Sequence, residues 1–568
     1  MTKHVVVIGA VAAGPKSACR FKRLMPEARV TMIDRSDTIS YGGCGIPYFV
    51  SGEVSESMQL RTTSFHMVRD ETFFREVKGV DVLSLTEATR IDRNEKTVHI
   101  RNVKTGETGV LDYDRLVIAT GSRPRRLGLP GEDLEGVHYV SSIPEAVGIR
   151  KAVTRGLVEK AVVVGAGFIG LEMAEAFADM WGIETTVVEI ADQIMPHYIS
   201  PELARMGQRH MEEKGVHFLL GETVKRLEGD GRVTRLVTDK QTIDADVVVI
   251  SVGVLPNSEL ALQCGLDVSD RGGIRVNDRM QTSDPDIFSG GDCVEIIHQV
   301  TGKPFYLPMG SMANRQGRVI GTNLAGGDAR FPGASGSFVV KLFDSSIAGA
   351  GLCLSTARNQ GFDAMSVLLV QLDRAHFFPT KELMTLELVV EKPTRKILGI
   401  QGFGSAGDAM VGRINAVAGI LKHQPTIEDI SNFEMAYSPP FSAAVDILNT
   451  LGNMADNALA GMNRGVGPAE FQEFWNERDS GTYFFLDCRE EADAKQYVEK
   501  FPEHWHNIPQ GKIAERIEEL PKDRKVVLVC NTGGRSYEAQ ITLDRKGVDE
   551  VINLHGGMAA LKHWGGDL

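Results

Sequence analysis

A strand, a glycine turn, a helix and a second strand ending in an acid recur twice before residue 190, alternating apolar segments fill 330–450, and two strand-to-loop patterns mark the last hundred residues. Together they predict an α/β chain with two Rossmann-like dinucleotide-binding domains, an α+β domain after them and a small α/β domain at the C-terminus. The length agrees: 568 residues exceed the roughly 250–300 at which one core stops growing.

The first unit runs from HVVVIG (4–9) through a helical stretch at 12–24 to RVTMID (29–34). The second occupies 160–189 and ends in Glu189. LVIATGSRP (116–124) and VVVISVGVLPN (247–257) read as strands entering glycine turns, suited to crossings between the two domains. TSDPDIFSGGD (282–292) is a strand ending at a Gly-Gly-Asp turn, and 308–327 is a helix with a glycine-rich stop. The segments VVKLF, AMSVLLVQL, LMTLELVVE and KILGIQGFG predict an antiparallel sheet with helices. Residues 452–467, small and glycine-rich, are expected to be a linker.

Composition narrows the function. A net charge of -13 argues against a general nucleic-acid binder, which needs a basic face to replace phosphate counterions. Seven scattered cysteines form no disulfide framework and fit a reducing compartment. With no apolar run of about 18 residues and no leader pattern, a cytoplasmic protein outside the membrane is expected, and no metal site.

GAGFIG (165–170) is a complete GxGxxG: Gly165 permits the turn, Gly167 admits a pyrophosphate and Gly170 lets helix and strand pack closely. Glu189 can accept both ribose hydroxyls and would repel a 2′-phosphate, which favours NADH. GAVAAG (9–14) is degenerate, with Val11 at the second glycine position. Its combination with Asp34, ATG (119–121) and the GD at 291–292 points to FAD, whose ribityl chain and pyrophosphate need a second contact from a distant strand end.

The order GxxxxG, ATG, GxGxxG, GD resembles the pyridine nucleotide-disulfide oxidoreductase family over residues 1–450. The resemblance implies an FAD domain at 1–118 and 253–328, an NADH domain at 119–252 and a dimerisation domain at 329–451 that makes a homodimer. FAD would lie on Gly9, Ala12, Gly14, Asp34, Arg35, Ala119, Thr120, Gly121 and Asp292. Pro308 and Ala313 would add the start of a helix aimed at the flavin. NADH would lie on Gly165, Gly167, Phe168, Ile169, Gly170, Glu189 and Gly253.

SYGGCGIPYF (40–49) carries a single cysteine, so a self-contained dithiol is not expected. Cys44 would react as a thiolate stabilised by a helix N-terminus or a nearby base. The second sulfur must come from substrate, or Cys44 must cycle to a sulfenic acid. SxxxCGxPY looks like coenzyme A-disulfide reductases and related persulfide reductases, and AYSPPFSAAVD (436–446) is similar to their segment that brings Tyr437 to the other subunit's cysteine. HFFP (376–379) stands where that group has YYP, so Phe377 and Phe378 offer no hydroxyl and Tyr437 is the candidate acid. Gly43 replaces an Asn. Matched to the group, Arg20, Arg23 and Ser40 fall at coenzyme A contacts, and Arg61 is a further candidate cation for its phosphates.

CNTGGRS (530–536) follows the strand VVLVC and resembles a rhodanese active loop, whose backbone N–H groups would converge on the sulfur of Cys530. Arg535 follows with four residues between, one fewer than in the related phosphatases, and the shorter cradle suits a sulfur atom. Asp487 and Arg489 would brace the loop of this rhodanese-like domain, 468–568, and Cys488 reads as structural. The expectation is a reductase in which NADH, through FAD and Cys44, reduces S–S bonds of coenzyme A persulfide, polysulfide or coenzyme A disulfide, with sulfane sulfur carried on Cys530. The alternatives are an NADH oxidase or peroxidase with a Cys44 sulfenate, and a redox-sensing, sulfur-binding protein.

Overall fold

A computed structural model describes residues 3–405 and 407–568, which divide into two compact units, Met1–Ile190 with Glu222–Ala334 and Ala191–Gly221 with Ser335–Leu568.

The first unit contains both dinucleotide folds. Apolar β-branched runs such as HVVVI and RLVI cannot face water on either side, and they form the centre of a five-stranded parallel sheet. Its order is Ile287–Ser289, Arg115–Ile118, His4–Ile8, Arg29–Ile33, Asp81–Leu83. The helix Ala13–Leu24 crosses the helix Gly310–Leu324 closely at Gly317 and Gly321, where an added Cβ would stand 2.7 Å from Ala13 O and 2.5 Å from Ser17 O. A second parallel layer sets Lys160–Val164 between Glu184–Glu189 and Val247–Ile250. The strands Ser122–Pro124 and Val254–Pro256 pair antiparallel, which gives the expected crossing between the two folds. Antiparallel three-stranded sheets over 86–112 and 224–244 complete the unit.

The second unit is built on a five-stranded antiparallel sheet in the order Phe338–Leu342, Ser345–Gly351, Ile397–Ser405, Leu383–Glu391, Ala364–Leu372. The helix Pro201–Glu213 lies on it through Gly207, beside Ile347 and Leu342. A smaller parallel sheet follows, ordered Gly465–Val466, Val551–Leu554, Lys525–Val529, Tyr483–Asp487, Trp505–Asn507. It is docked rather than tethered: Gly556 rests against Leu368 and Val370, and Gly565 against Arg209.

The stretch 452–467 departs from the expected linker. Its first half continues the helix Ile447–Leu459, started by the Asp446 carboxylate, which accepts from Leu448 N, and held by burial of Leu448, Leu451 and Ala455. Asp446 is itself fixed by a buried ion pair with Arg413 at 2.7 Å. Small residues here serve close helix packing, since a Cβ on Gly452 would stand 2.6 Å from Ser431.

Candidate active site

The two glycine turns have the same backbone despite the degenerate sequence of the first. Gly9 and Gly165 have φ of +106° and +103°, and a Cβ on Gly14 or Gly170 would fall 1.9 Å from the carbonyl of Gly9 or Gly165. Only glycine fits those positions. The second position faces outward in both, so Val11 is tolerated as an exposed side chain where Gly167 has open space. Ala12 caps the helix Ala13–Leu24, while Phe168, half-buried, and Ile169, exposed, begin the helix Phe168–Ala178.

Each strand-terminal acid closes its own turn. Asp34 accepts from Ala10 N at 2.7 Å, and Glu189 accepts from Ala166 N at 2.8 Å. Burial pushes the Asp34 carboxyl up, against the pull of the N–H groups of Ser36 and Ala10 and of exposed Arg35. The ATG turn is latched by Asn257, which donates to Thr120 O and accepts the Thr120 hydroxyl at its carbonyl. Ala119 N donates to Ile8 O, and Gly121 and Gly253 both take left-handed φ. Half-buried Asp292, accepting from Ser122 at 3.3 Å, is also pushed up by burial. Two turns with open outer faces, each starting a helix, and a desolvated carboxylate at the sheet end fit two dinucleotides.

Cys44 lies in a one-turn helix, Gly43–Gly45, immediately before the helix Ile46–Ser51. Its Sγ faces the first turn of the helix Gly310–Leu324: a Cβ on Gly310 would stand 3.6 Å away, and the Gly310 N–H favours the thiolate. That helix begins at Gly310 with Met309 as cap, so Pro308 stands outside it, two residues before the start that sequence placed there; Ala313 is buried in it. The helix-start contact expected to stabilise the thiolate is present but outweighed. Burial and the Glu172 charge push Cys44 up, and the Gly310 N–H only partly offsets them.

Glu172 was not legible as a site residue. It lies on the helix Phe168–Ala178, accepts from Tyr48 Oη at 3.4 Å and is raised by burial to about 7. Trp181 Nε1, just beyond the end of the helix Phe168–Ala178, donates to Val50 O in the helix that follows Cys44.

The proposed coenzyme A residues are spread over three segments. Ser40 is buried at a positive φ, its N–H donating to Ala10 O. Arg20 donates to Thr322 Oγ1 at 3.1 Å, and Arg23 is exposed. Arg61 ends a turn whose Leu60 carbonyl accepts from Gly42 N, beside the Cys44 loop. Its Nε is buried with no hydrogen-bond partner among the described residues. Tyr437 is 52% exposed in the second unit, on a surface shared with exposed Phe441 and Val445. The adjoining turn carries exposed Phe377 and half-buried Phe378, and is joined to that segment by Ala375 N and Pro439 O.

Cys530 is buried at the end of the strand Lys525–Val529. Sequence predicted several backbone donors on its sulfur; the structure supplies one, Gly533 N at 3.1 Å, and a hydroxyl, Ser536 Oγ at 3.2 Å. The loop carbonyls Cys530 O and Asn531 O accept from Met558 N and Ala559 N. Asp487 and Arg489 form a buried ion pair at 2.6 Å that also engages Trp505 Nε1 and reaches Asn531, while Arg535 is half-buried at the helix start.

The sequence matches pyridine nucleotide-disulphide oxidoreductase over residues 3–304, the dimerisation domain of that family over 337–448 and a rhodanese-like domain over 470–563. It is similar to the NAD-dependent persulfide reductase of A. fulgidus, 39% identical, with a TM-score of 0.92 over 98% of this chain and 99% of that one. The reduced CoADR-RHD of Bacillus anthracis is 31% identical, with a TM-score of 0.90 over 99% and 98%. The NAD(P)H sulfur oxidoreductase (CoA-dependent) of Pyrococcus abyssi is 34% identical over 80% of this chain and 98% of its own length. With two nucleotide turns of one geometry, a lone cysteine at a helix start and these matches, the chain belongs to the pyridine nucleotide-disulphide oxidoreductase family.

Proposed function

We propose that the protein is an NADH-dependent reductase of S–S bonds in coenzyme A persulfide, polysulfide or coenzyme A disulfide, with Cys44 as its redox thiol and Cys530 as a carrier of sulfane sulfur. The observation that carries this is the single Cys44 sulfur against the Gly310 helix start, in a chain that continues into a cysteine loop built for sulfur. The assignment places FAD on residues 1–118 and 253–328, with Gly9, Gly14, Asp34 and Asp292 at its pyrophosphate and ribityl chain. It places NADH on 119–252, on Gly165, Gly167, Gly170 and Glu189.

FAD, when bound, supplies two-electron transfer from NADH to sulfur. The rest is work for this chain's own groups. Gly310 N–H stabilises the Cys44 thiolate as it is released from a mixed disulfide. Glu172, titrating at about 7, opposes a second negative charge beside it, so its carboxyl takes up a proton as the Cys44 anion forms. Arg61 offers its unpaired Nε to a coenzyme A phosphate, with Arg20, Arg23 and Ser40 as further contacts. Tyr437 acts as proton donor across a homodimer whose contact includes the exposed Phe377, Phe441 and Val445. All seven cysteines are free, in keeping with a cytoplasmic protein, and among the described residues no helix is long and apolar enough to cross a membrane.

The test is anaerobic turnover of the FAD-loaded protein with NADH and coenzyme A persulfide, set beside oxygen uptake in air. Sulfide released in step with NADH and little oxygen consumed is the expected result. Oxygen uptake that accounts for the NADH, with no sulfide released, would make the protein an oxidase.

A further inference from the structure

Cys488 has no part in that function, yet the topology sets it against Cys530. The strands Tyr483–Asp487 and Lys525–Val529 are parallel neighbours, with Asp487 in register with Val529. The next residues on each strand are the two cysteines, and Cys488 N extends the ladder to Val529 O at 2.8 Å. Side chains alternate between the faces of a sheet. Phe484, Leu486 and Cys488 share one apolar cluster with Val526, Leu528 and Cys530, while Phe485, Val527 and Val529 fall in the cluster on the other face. Both thiols therefore leave the same face from opposed positions. Neighbouring strands lie about 4.8 Å apart, inside the ~4.4–6.8 Å range of Cα separations that a disulfide spans.

The sulfurs differ in chemistry. Cys530 Sγ accepts from Gly533 N and Ser536 Oγ, two donors aimed at the sulfur that the loop holds as its nucleophile. Cys488 is fully buried, its Sγ 3.8 Å from Leu486 O. Apolar burial, and then the nearby Cys530 and Asp487, push its thiol up, so it keeps its proton and is inert until a partner is delivered to it.

We propose that Cys488 is a resolving thiol for Cys530: when a peroxide oxidises Cys530, the two close an intramolecular disulfide. In the first step the Cys530 thiolate attacks one peroxide oxygen. The O–O bond breaks, an S–O bond forms, and the departing hydroxide takes a proton to become water. In the second, Cys488 sulfur attacks the Cys530 sulfenic acid; the S–O bond breaks, the S–S bond forms, and water leaves with the Cys488 proton. Two thiols lose two electrons in all, and the peroxide gains them. A small-molecule thiol reopens the bridge by exchange, with two thiols consumed as their disulfide. The bridge takes Cys530 out of reach of further oxidation to sulfinic acid, which thiols do not reverse. None of this depends on which sulfur compound Cys44 acts on.

The experiment uses the full FAD-loaded chain, reduced, desalted and given one equivalent of hydrogen peroxide, then acid-quenched, alkylated and mapped by mass spectrometry without reduction. The expected product is a joined pair of peptides carrying Cys488 and Cys530, two hydrogens lighter than their sum and separated again by thiol. Cys530 recovered as sulfinic acid with Cys488 alkylated, or both recovered alkylated, would overturn the proposal. Cys488→Ala and the more conservative Cys488→Ser should each accumulate Cys530 sulfinic acid several-fold faster than the parent; equal rates would contradict it. Should either substitution unfold the domain, the map of the unaltered chain still decides.

Discussion

At Cys44 two opposed fields meet, and Glu172 is the stronger lever. Burial first and the Glu172 charge second raise the thiol, while the Gly310 N–H lowers it. Removing the charge with the shape kept isolates one of these. Glu172→Gln is expected to move the pH midpoint of Cys44 alkylation down, because the neighbouring negative charge is gone. Iodoacetamide rates across pH 6–10 measure it, and an unmoved midpoint would show that Glu172 does not act on Cys44. A neighbouring consequence concerns Glu189, which ends the strand Glu184–Glu189 beside the Gly165 turn. Glu189→Ala should lower kcat/KM for NADH and narrow its advantage over NADPH, as steady-state rates with both nucleotides would report. Cys44 and Glu189 stand out as candidates because their motifs are local in sequence. Glu172 does not, since nothing in FIGLEMAEAFA shows that a distant thiol lies beside it. Ser536 was hidden in the same way: the loop pattern marks Cys530 and Arg535, and the hydroxyl that reaches the sulfur looks like an ordinary helix residue.

At the scale of elements, hydrophobic alternation and glycine turns carried most of the reading. HVVVI, KAVVV and KVVLV are buried strands as expected, and GAVAAG folds like GAGFIG because the positions that must be glycine are the first and last. The reading failed where small residues had two uses. GNMADNALAG looks like a linker by composition, but Leu448, Leu451 and Ala455 recur at helical spacing and Asp446 caps them. Strand Leu383–Glu391 holds an acid that alternation would place in water. Glu387 is instead 3% exposed, hydrogen-bonded to Ser200, and raised from 4.5 to about 7, first by burial and then by Glu202. The sign follows from linkage: the folded state holds this proton more tightly than the unfolded chain, so stability falls as pH rises from about 4.5 through 7. Glu387→Gln should remove up to roughly 3 kcal/mol of that penalty. Urea unfolding at pH 6 and pH 8 tests it: the parent should lose more stability between the two than the variant does, and equal losses would place the pH dependence elsewhere.

Over the whole molecule, the chain pairs a nucleotide-binding unit carrying Cys44 with a unit in which the rhodanese-like sheet is docked on the antiparallel sheet through Gly556 and Gly565. Docking limits the freedom that a flexible linker would have given Cys530. On the proposed function, transfer of sulfur between the two cysteines would fall to a mobile carrier such as the pantetheine arm of coenzyme A, and fusion in one chain would raise the effective concentration of the two sites. Cys530→Ser should accordingly slow reduction of polysulfide more than reduction of preformed coenzyme A persulfide, and equal losses with both would reduce Cys530 to a structural role. The central claim, that electrons from NADH leave the protein through the Cys44 sulfur, is tested most directly by Cys44→Ser in the full FAD-loaded chain. Mixed anaerobically with NADH, the variant should still lose its flavin absorbance, because the nucleotide turns are built from other segments. Mixed next with coenzyme A persulfide, it should fail to regain that absorbance or to release sulfide, and reoxidation with sulfide release at the parent's rate would contradict the account.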